Sequence, residues 1–284
     1  MDFKKIGFIG LGLIGGSMAK TIKRIYPETE LIATSGHLST ITAAFEDHTI
    51  SNDTLLAMKD FSDCDIIFLC CPVQKNIEYI KELKPFLKKG CILSDVGSVK
   101  GDIHESITAL ELESFFIGGH PMAGSEKTGY EHSESAFFRD KYYILTPFAE
   151  SRPEYVAWMK QFIHDIGSHC ILLDPDYHDA VVAGISHGPH VISAALVNAV
   201  AALDEDGTYG TLAAGGFHTT TRISSSSPEM WQNICLTNSD KICSFLDKYI
   251  EILTAAKQQI ADGDKDGLMH FFEAAKNYRD HIRF

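Results

Sequence analysis

Short apolar runs alternate with amphipathic runs over the first 173 residues of the chain. The run 65–71 is apolar at nearly every position, as is typical of a central parallel strand that is buried on both faces. Apolar residues at helical spacing over 13–26 separate the first two runs, and another helix is predicted over about 152–165. Strands are predicted at 5–10, 30–34, 65–71, 91–95, 115–118, 142–145 and 169–173. This alternation predicts an α/β fold with a Rossmann-type doubly wound sheet over residues 1–173.

The pattern changes after residue 173, and the rest of the chain predicts an all-α domain over 174–284. Residues 176–204 form one long apolar pattern, which predicts a buried helix that is bent or broken at Gly188-Pro189. Its histidines, proline and asparagine make this stretch too polar to span a bilayer. Residues 207–227 are rich in Gly, Thr and Ser and predict a loop. Two further helices are predicted, one through 242–260 and one from about 264 to the end.

The charge of the chain excludes some partners. Its 284 residues hold 25 Lys and Arg against 38 Asp and Glu, a formal net charge of −13. Because this field repels phosphate, we expect no binding to nucleic acid or to an acidic membrane, and a small anion would need a local positive site. The seven cysteines contain no CxxC pair, which suits a reducing cytoplasm better than a disulfide framework or a zinc site.

The segment Gly10-Leu11-Gly12-Leu13-Ile14-Gly15 matches GxGxxG between a predicted strand and a predicted helix. In that context the first glycine makes a tight turn, the second lets a pyrophosphate approach the backbone, and the third packs the helix on the strand. The N–H groups at the start of the helix, where Leu13 and Ile14 lie, favour an anion. The motif predicts a dinucleotide site, and a glycine turn without a ligand is the alternative.

The segment Thr34-Ser35-Gly36-His37 stands where many dinucleotide-binding domains carry an acid after the second strand. A carboxylate there binds the ribose 2′-OH of NAD and repels the 2′-phosphate of NADP. Its absence removes the barrier to NADP, but no arginine is present to favour NADP. Ser35 and His37 are the candidate ribose contacts, and the predicted cofactor is NAD or NADP.

His120 lies in the glycine-rich segment 118–125, just past a predicted strand end, where open α/β sheets bind their ligands. A histidine there can take a proton from a hydroxyl as hydride leaves, because its pKa lies near the working pH. The alternative is a surface-loop histidine. Ser98 follows the strand at 91–95 and could orient a catalytic group or cap a helix, and the nearby Lys100 could meet phosphate.

The segment Ser186-His187-Gly188-Pro189-His190 places polar residues inside the long apolar helix. If the helix continues, Ser186 and His190 share a face. Buried polar groups need partners, so these residues are either satisfied core residues or the lining of a cleft between domains. His187 and His190 lack a third ligand at suitable spacing, so no metal is expected.

Arg222 is the only arginine or lysine between residues 161 and 240, a stretch that holds nine acidic residues. Its guanidinium could bind a substrate carboxylate in bidentate fashion, or it could pair with one of those acids. Because Arg222 follows Gly215-Gly216-Phe217 in a segment predicted to be a loop, the functional interpretation is favoured.

Together these segments resemble the prephenate dehydrogenase family. The resemblance spans about residues 6 to 231. In order, its segments are the glycine loop, Asp95-x-Gly97-Ser98-Val99-Lys100, Gly119-His120-Pro121-x-Ala123-Gly124-Ser125-Glu126, Ser186-His187-x-Pro189-His190, and Gly215-Gly216-Phe217 through Arg222 to Trp231. It implies oxidative decarboxylation of prephenate to 4-hydroxyphenylpyruvate with NAD or NADP, in tyrosine biosynthesis.

The resemblance also implies roles for individual residues. His120 would take the proton of the ring C4 hydroxyl, and Ser98 would orient His120 and lie near the nicotinamide. The residues implied to contact the substrate are Arg222, His190, Ser186, Gly215 and Trp231. Arg222 would bind the ring carboxylate. Trp231 would reach the site of the other subunit, since the helical domain is the family's dimerisation domain, and a homodimer is therefore implied.

Two positions depart from the family pattern. Ser35 stands where many members have an acid, which leaves NAD against NADP open. Thr219 stands where many have Asp, two residues after the Phe of the glycine-rich segment, which affects any gating or product-release role of that segment.

Alternative functions follow from the same residues. Arogenate dehydrogenase acts on a substrate with an amino group in place of the side-chain keto group, and the sequence does not distinguish the two. A nucleotide-sensing interaction protein would bind the cofactor without turnover. A β-hydroxyacid dehydrogenase typically uses a lysine from the first long helix after the nucleotide domain, and the absence of lysine between 161 and 240 argues against it.

Overall fold

The computed structural model describes residues 3–125 and 127–282. A seven-stranded sheet fills the first half, in the order β2-β1-β3-β4-β5-β6-β7. All neighbouring strands are parallel except β5 and β6. The strands are β1 (Lys5–Ile9), β2 (Glu30–Thr34), β3 (Ile66–Leu69), β4 (Ile92–Asp95), β5 (Phe116–Pro121), β6 (Tyr142–Pro147) and β7 (His169–Leu172). The predicted Rossmann-type domain, followed by a helical domain, is confirmed.

The antiparallel pair β5 and β6 departs from the regular alternation because the described residues between the two strands form no helix longer than the 3₁₀ turn Tyr130–His132, which is too short for a parallel crossover. The chain therefore returns directly, and His120 lies opposite Ile144. Strand β5 also runs three residues beyond its predicted end at 118. The prediction that His120 lies just past a strand end is wrong, because this residue is part of the β5–β6 ladder.

Helices cover both faces of the sheet and enclose two apolar cores. Side chains alternate along a strand, so Phe8 and Phe68 enter one core while Ile9 and Leu69 enter the other. The helices of this half are α1 (Leu13–Ile25), α2 (Leu38–Glu46), α3 (Val73–Leu83), α4 (Gly101–Ala109) and α5 (Pro153–Asp165).

The second half is helical. Its helices are α6 (Pro175–Val182), α7 (Gly188–Leu203), α8 (Thr208–Leu212), α9 (Gly215–Thr221), α10 (Pro228–Thr237), α11 (Ser239–Asp262) and α12 (Lys265–His281). Asp174 caps α6, since its carboxylate accepts the N–H groups of Asp176 and Tyr177 at 2.9 and 3.2 Å. The domain boundary at 173/174 stays a prediction, and it coincides with this cap.

A π-helical turn, Ala183–His187, joins α6 to α7 without a break. The N–H of Gly188 bonds to the carbonyl of Ala183, five residues back. Proline has no N–H to donate, and the wider turn absorbs this loss immediately before Pro189. The predicted distortion therefore exists, but it precedes Gly188-Pro189 and leaves the helix continuous.

The prediction of a buried helix over 176–204 is wrong within one chain. By length and composition Pro175–Leu203 could cross a membrane, and 28% of its apolar window is buried. In α7 only Gly188 and Ser193 are buried. One side of α7 packs on α9, on the turn Arg222–Ser225 and on α11, and much of the rest is uncovered.

The prediction of a loop over 207–227 is also wrong. The segment forms α8, α9 and the 3₁₀ turn Arg222–Ser225. Two hydroxyls help to fix it. Thr221 Oγ1 donates to the Phe217 carbonyl at 2.7 Å, and Ser193 Oγ of α7 donates to the Thr220 carbonyl at 3.1 Å. Packing on α7 thus outweighs the low helix propensity of the composition.

Large apolar side chains remain exposed on the helical half. Leu212 and Leu236 are 73% and 70% exposed, and Ile260 and Phe272 are exposed to a similar extent. On α11, which the apolar spacing predicted, the only buried residues are Ile242 and Ala256. This half of the molecule therefore presents an apolar surface to its surroundings.

Candidate active site

The fold requires glycine at two positions of the glycine loop but not at the third. Gly10 has φ +92°, and a Cβ there would lie 2.6 Å from Cys71 Sγ. At Gly15 a Cβ would lie 2.4 Å from the Gly10 carbonyl oxygen. At Gly12 a Cβ would meet nothing within 4 Å. The fold explains Gly10 and Gly15, whereas the space beside Gly12 is what an approaching pyrophosphate needs.

Helix α1 begins directly after this space. Gly12 is its N-cap residue, and no side chain among the described residues caps the helix. The N–H groups of the first turn, including those of Leu13 and Ile14, are free to bind an anion at the positive end of the helix dipole. The residues present therefore fit a dinucleotide pyrophosphate.

We expect Gly12→Val to raise the Kd of the cofactor by at least about tenfold with little change in stability, because the added side chain occupies only the ligand's space. The matched variant Gly15→Ala is expected to cost about 1–3 kcal/mol of folding free energy through overpacking. Cofactor titration and chemical denaturation separate the two effects. Wild-type cofactor affinity in Gly12→Val would place the pyrophosphate elsewhere.

The end of β2 carries no acid. Thr34 donates to the Leu56 carbonyl at 3.0 Å, Ser35 is half-buried, and His37 is exposed and precedes α2 without capping it. The two candidate ribose contacts thus lie at the expected edge of the sheet, with no carboxylate among residues 34–40.

A buried ion pair holds the strand that carries His120. Lys100 Nζ bonds to the Asp95 carboxylate, and both side chains are fully buried. Asp95 accepts the N–H of Gly119 at 3.1 Å, and Lys100 donates to the carbonyl of Gly119 at 2.7 Å. The main-chain N–H and carbonyl of Gly119, the residue before His120, are therefore both fixed. The hypothesis that Lys100 meets phosphate is wrong, because its ammonium is enclosed by these partners.

Ser98 lies half-buried between β4 and α4. Its hydroxyl makes no hydrogen bond with any described residue, so the expected contact with His120 is not formed here. Ser98 also does not cap α4, since the N-cap residue is Lys100.

The partner of His120 is another histidine. His120 Nδ1 lies 2.9 Å from His178 Nε2, and His178 Nδ1 lies 2.7 Å from Asp179 Oδ1. The Asp179 carboxylate also accepts the N–H groups of Lys100 and Gly101, each at 2.8 Å, at the start of α4. The chain His120–His178–Asp179 thus crosses from the sheet to the first helix of the helical domain.

Burial sets the charges in this chain. Burial lowers the pKa of His120 well below its usual range, and His178, Lys100 and His187 lower it further. Burial also lowers the pKa of His178, against the pull of Asp179. Burial opposes ionisation of Asp179, but hydrogen bonds from His178 and from the start of α4 outweigh it and lower its pKa. At neutral pH, the chain therefore consists of two neutral imidazoles in sequence, followed by one carboxylate that bonds to the second imidazole.

The polar segment of the long helix contains one buried and one half-buried histidine. His187 is buried and bonds to Asn238 at 3.1 Å, and burial lowers its pKa to about 4. His190 is half-buried, and its Nδ1 lies 2.8 Å from the Ser186 carbonyl. His187 is therefore a satisfied core residue, whereas the prediction that Ser186 and His190 line a cleft between domains stays a prediction.

Trp231 closes this face within the same chain. Its ring stacks on His190 with centroids 3.6 Å apart. Its indole N–H is buried without a hydrogen-bond partner among the described residues. The expected reach of Trp231 into another subunit's site stays a prediction.

Arg222 opens the 3₁₀ turn that follows α9, and it is exposed. The bond from Ser193 to the Thr220 carbonyl ties this turn to α7, the helix of His190. Gly215 begins α9 and is open on the side where a Cβ would point. Thr219 lies exposed on α9, and Glu126 lies outside the described residues.

Sequence reasoning missed His178, Asp179 and Asn238 as members of this site. Asn238 Nδ2 donates to the main-chain carbonyl of Asp179 at 2.9 Å and contacts His187, so it links the two histidine groups. No local motif marks these residues, because their partners come from distant parts of the chain.

Two family models match the chain. Residues 18–172 match the prephenate dehydrogenase nucleotide-binding domain, and residues 174–283 match the prephenate dehydrogenase dimerization domain. The chain belongs to the prephenate dehydrogenase family. The resemblance predicted from the motifs is thereby confirmed.

Individual members of the prephenate dehydrogenase family are similar to this chain in sequence and in structure. Prephenate dehydrogenase of Bacillus subtilis is 32% identical over 95% of this chain and 74% of its own length. The structure of the Aquifex aeolicus prephenate dehydrogenase with hydroxyphenyl propionate and NAD+ has a TM-score of 0.93 at 28% identity, covering 100% and 99% of the two chains. Synechocystis arogenate dehydrogenase has a TM-score of 0.84 at 33% identity, covering 97% and 99%.

Proposed function

We propose that the protein oxidises and decarboxylates prephenate to 4-hydroxyphenylpyruvate with NAD or NADP, as a step of tyrosine biosynthesis. One observation carries the proposal: a buried, neutral histidine at the carboxyl edge of a dinucleotide-binding sheet, with one ring nitrogen bonded to His178 and the other without a hydrogen-bond partner among the described residues. That free nitrogen suits a base for a substrate hydroxyl.

The reaction balances with these residues. NAD or NADP, held at the glycine loop, would accept the hydride that leaves C4 of the substrate ring. His120 Nε2 takes the C4 hydroxyl proton, and the resulting dienone loses its ring carboxylate as CO₂. The electron pair of the broken bond restores the aromatic ring, and the phenolic oxygen takes a proton back. No net proton is released, and the low pKa of His120 suits a base that must be neutral at the start.

The helical domain supplies the anion and side-chain contacts. Arg222 would bind the ring carboxylate, while Ser186, His190 and Gly215 would line the pocket, and Trp231 would offer its indole N–H. The unpartnered buried N–H of Trp231 supports this, because a buried donor costs free energy until an acceptor arrives. Ser98 would lie beside the nicotinamide, since its hydroxyl has no hydrogen-bond partner among the described residues and is available to a ligand.

We propose that the protein uses both cofactors, since the end of β2 neither repels a 2′-phosphate nor offers it an arginine. Ser35→Asp is then expected to reduce kcat/KM with NADP by about a hundredfold, because like charges in contact cost several kcal/mol. The same variant should change kcat/KM with NAD little. Steady-state assays with each cofactor measure both, and an unchanged preference would mean that Ser35 does not face the ribose.

We further propose a homodimer through the helical domain and a cytoplasmic location. The exposed apolar residues of α8, α10, α11 and α12 and the match to a dimerization domain support the dimer. The described cysteines are all free, which supports a reducing compartment.

The deciding experiment is a spectrophotometric assay of reduced nicotinamide with prephenate and, in parallel, with arogenate. The similarity to Synechocystis arogenate dehydrogenase makes arogenate the second candidate substrate. A higher kcat/KM for prephenate supports the proposal, and a higher value for arogenate replaces it. Cofactor binding without turnover of either would indicate a nucleotide-sensing protein.

A further inference from the structure

We infer that His178 and Asp179 are positioning residues that fix the proton of His120 on Nδ1 and stabilise the positive charge when His120 acts as a base. The inference rests on the proposed function of His120. It concerns a hydrogen-bond chain between the two domains, formed by a sheet residue and two residues of α6.

The tautomers follow from the carboxylate. Asp179 is ionised and can only accept, so His178 must carry its proton on Nδ1, which lies 2.7 Å from Oδ1. The neutral His178 then has a lone pair on Nε2. His120 Nδ1, at 2.9 Å from that lone pair, must be the donor. The lone pair of His120 is therefore on Nε2, the nitrogen that would face the substrate.

The same chain can spread the charge that forms. When Nε2 of His120 gains the substrate proton, its Nδ1 proton is aligned with His178 Nε2, and the positive charge is shared toward Asp179. This parallels the role of a buried aspartate behind a catalytic histidine, where the carboxylate fixes the tautomer and stabilises the imidazolium. No other reactant is needed, because the only proton transferred is the one that passes from the substrate hydroxyl to His120 Nε2.

Asp179 is itself held in place. Its two oxygens accept the N–H groups of Lys100 and Gly101, and its main-chain carbonyl accepts a bond from Asn238. The start of α4 therefore favours the ionised carboxylate electrostatically. The orientation of the helical domain therefore affects the base on β5. If that domain moved, the hydrogen bond between His120 and His178 would break, and the proton of His120 would no longer be fixed on Nδ1.

Other charged groups near the chain act on its titration. Lys100 and His187 lower the pKa of His120, while Asp95 and Asp179 raise that of His178 against the effects of burial and Lys100. Removing the charge of Asp179 should therefore lower the apparent pKa of the histidine pair. In kcat against pH, the limb where activity falls on acidification should move to lower pH in Asp179→Asn, together with a lower plateau.

The test compares His178→Leu, His178→Gln and Asp179→Asn with the wild type in the full chain. Glutamine can place its side-chain oxygen near the position of Nε2 and accept the His120 proton, whereas leucine cannot. We expect kcat to fall by about 10²–10³-fold in His178→Leu and Asp179→Asn, with partial recovery in His178→Gln. KM for substrate and cofactor should stay near the wild-type values.

A control variant separates positioning from general stability. His104 is also buried on this side of the sheet, bonds to Thr146 at 2.9 Å, and has a pKa lowered by burial to about 4. Because His104 bonds to Thr146 and to none of His120, His178 and Asp179, His104→Asn should change the free energy of unfolding but leave kcat near the wild-type value.

A second measurement does not depend on turnover. Nitrogen-15 NMR of histidine-labelled protein should show His120 and His178 as Nδ1–H tautomers in the wild type, and His120 should lose that form in His178→Leu. An Nε2–H tautomer of His120 in the wild type would overturn the inference, as would wild-type kcat in folded Asp179→Asn. If prephenate and arogenate are both inert, the NMR result still decides the tautomer, so the two proposals fail separately.

Discussion

His120→Asn is expected to lower kcat by about 10²–10⁴-fold, which is the usual contribution of a positioned general base. Asparagine preserves a donor near Nδ1 and can still bond to His178, but it offers no basic nitrogen to the substrate hydroxyl. Cofactor affinity and KM should change little, because the buried ion pair of Asp95 and Lys100 holds the strand through Gly119 rather than through the imidazole. Steady-state kinetics at saturating cofactor measure the split between kcat and KM.

His164→Asn is the matched control for this prediction. Its side chain is 83% exposed on α5, and the same chemical change there should leave both constants unaltered. A primary isotope effect with substrate deuterated at C4 adds a second readout, since a slower chemical step should make it larger. Turnover of His120→Asn at the wild-type rate would remove His120 as the base.

Elements that depend on residues close together in the sequence could be predicted well. The seven strands follow from runs of apolar residues, and the glycine loop follows from a motif whose neighbours on both sides are local. The positive φ of Gly10 and the close contact at Gly15 explain why the motif can be recognised from the sequence, since a side chain fits at neither position. The end of β5 was placed too early because glycine, histidine and proline have low strand propensity, and only the ladder with β6 holds them.

Features that depend on tertiary partners could not be predicted. Lys100 was a candidate for phosphate because it follows a strand, and only the fold shows that Asp95 and Gly119 enclose it. His178 and His120 are 58 residues apart, and nothing near either one identifies the other. The apolar positions of α7 predicted burial, but within one chain only Gly188 and Ser193 of this helix are buried.

Arg222→Ala is expected to raise KM for the substrate strongly and to lower kcat/KM by at least about a hundredfold. A hydrogen bond to a charged group contributes about 1.5–3 kcal/mol, and a bidentate carboxylate contact has two of them. The acidic composition of residues 161–240 makes this the one permanent cation of the segment, so no neighbouring lysine or arginine there can replace it. Cofactor affinity should be nearly unchanged, because the glycine loop lies in the other domain.

Arg222→Lys and Arg139→Ala make this prediction specific. Lysine keeps the charge but not the planar pair of donors, so it should recover only part of the affinity. Arg139 is an exposed arginine of the nucleotide-binding domain, and its removal should leave KM unchanged. If Arg222→Ala and Arg139→Ala both retain the wild-type KM, another group binds the ring carboxylate. The first candidate is then the indole N–H of Trp231, which has no hydrogen-bond partner among the described residues and lies beside His190.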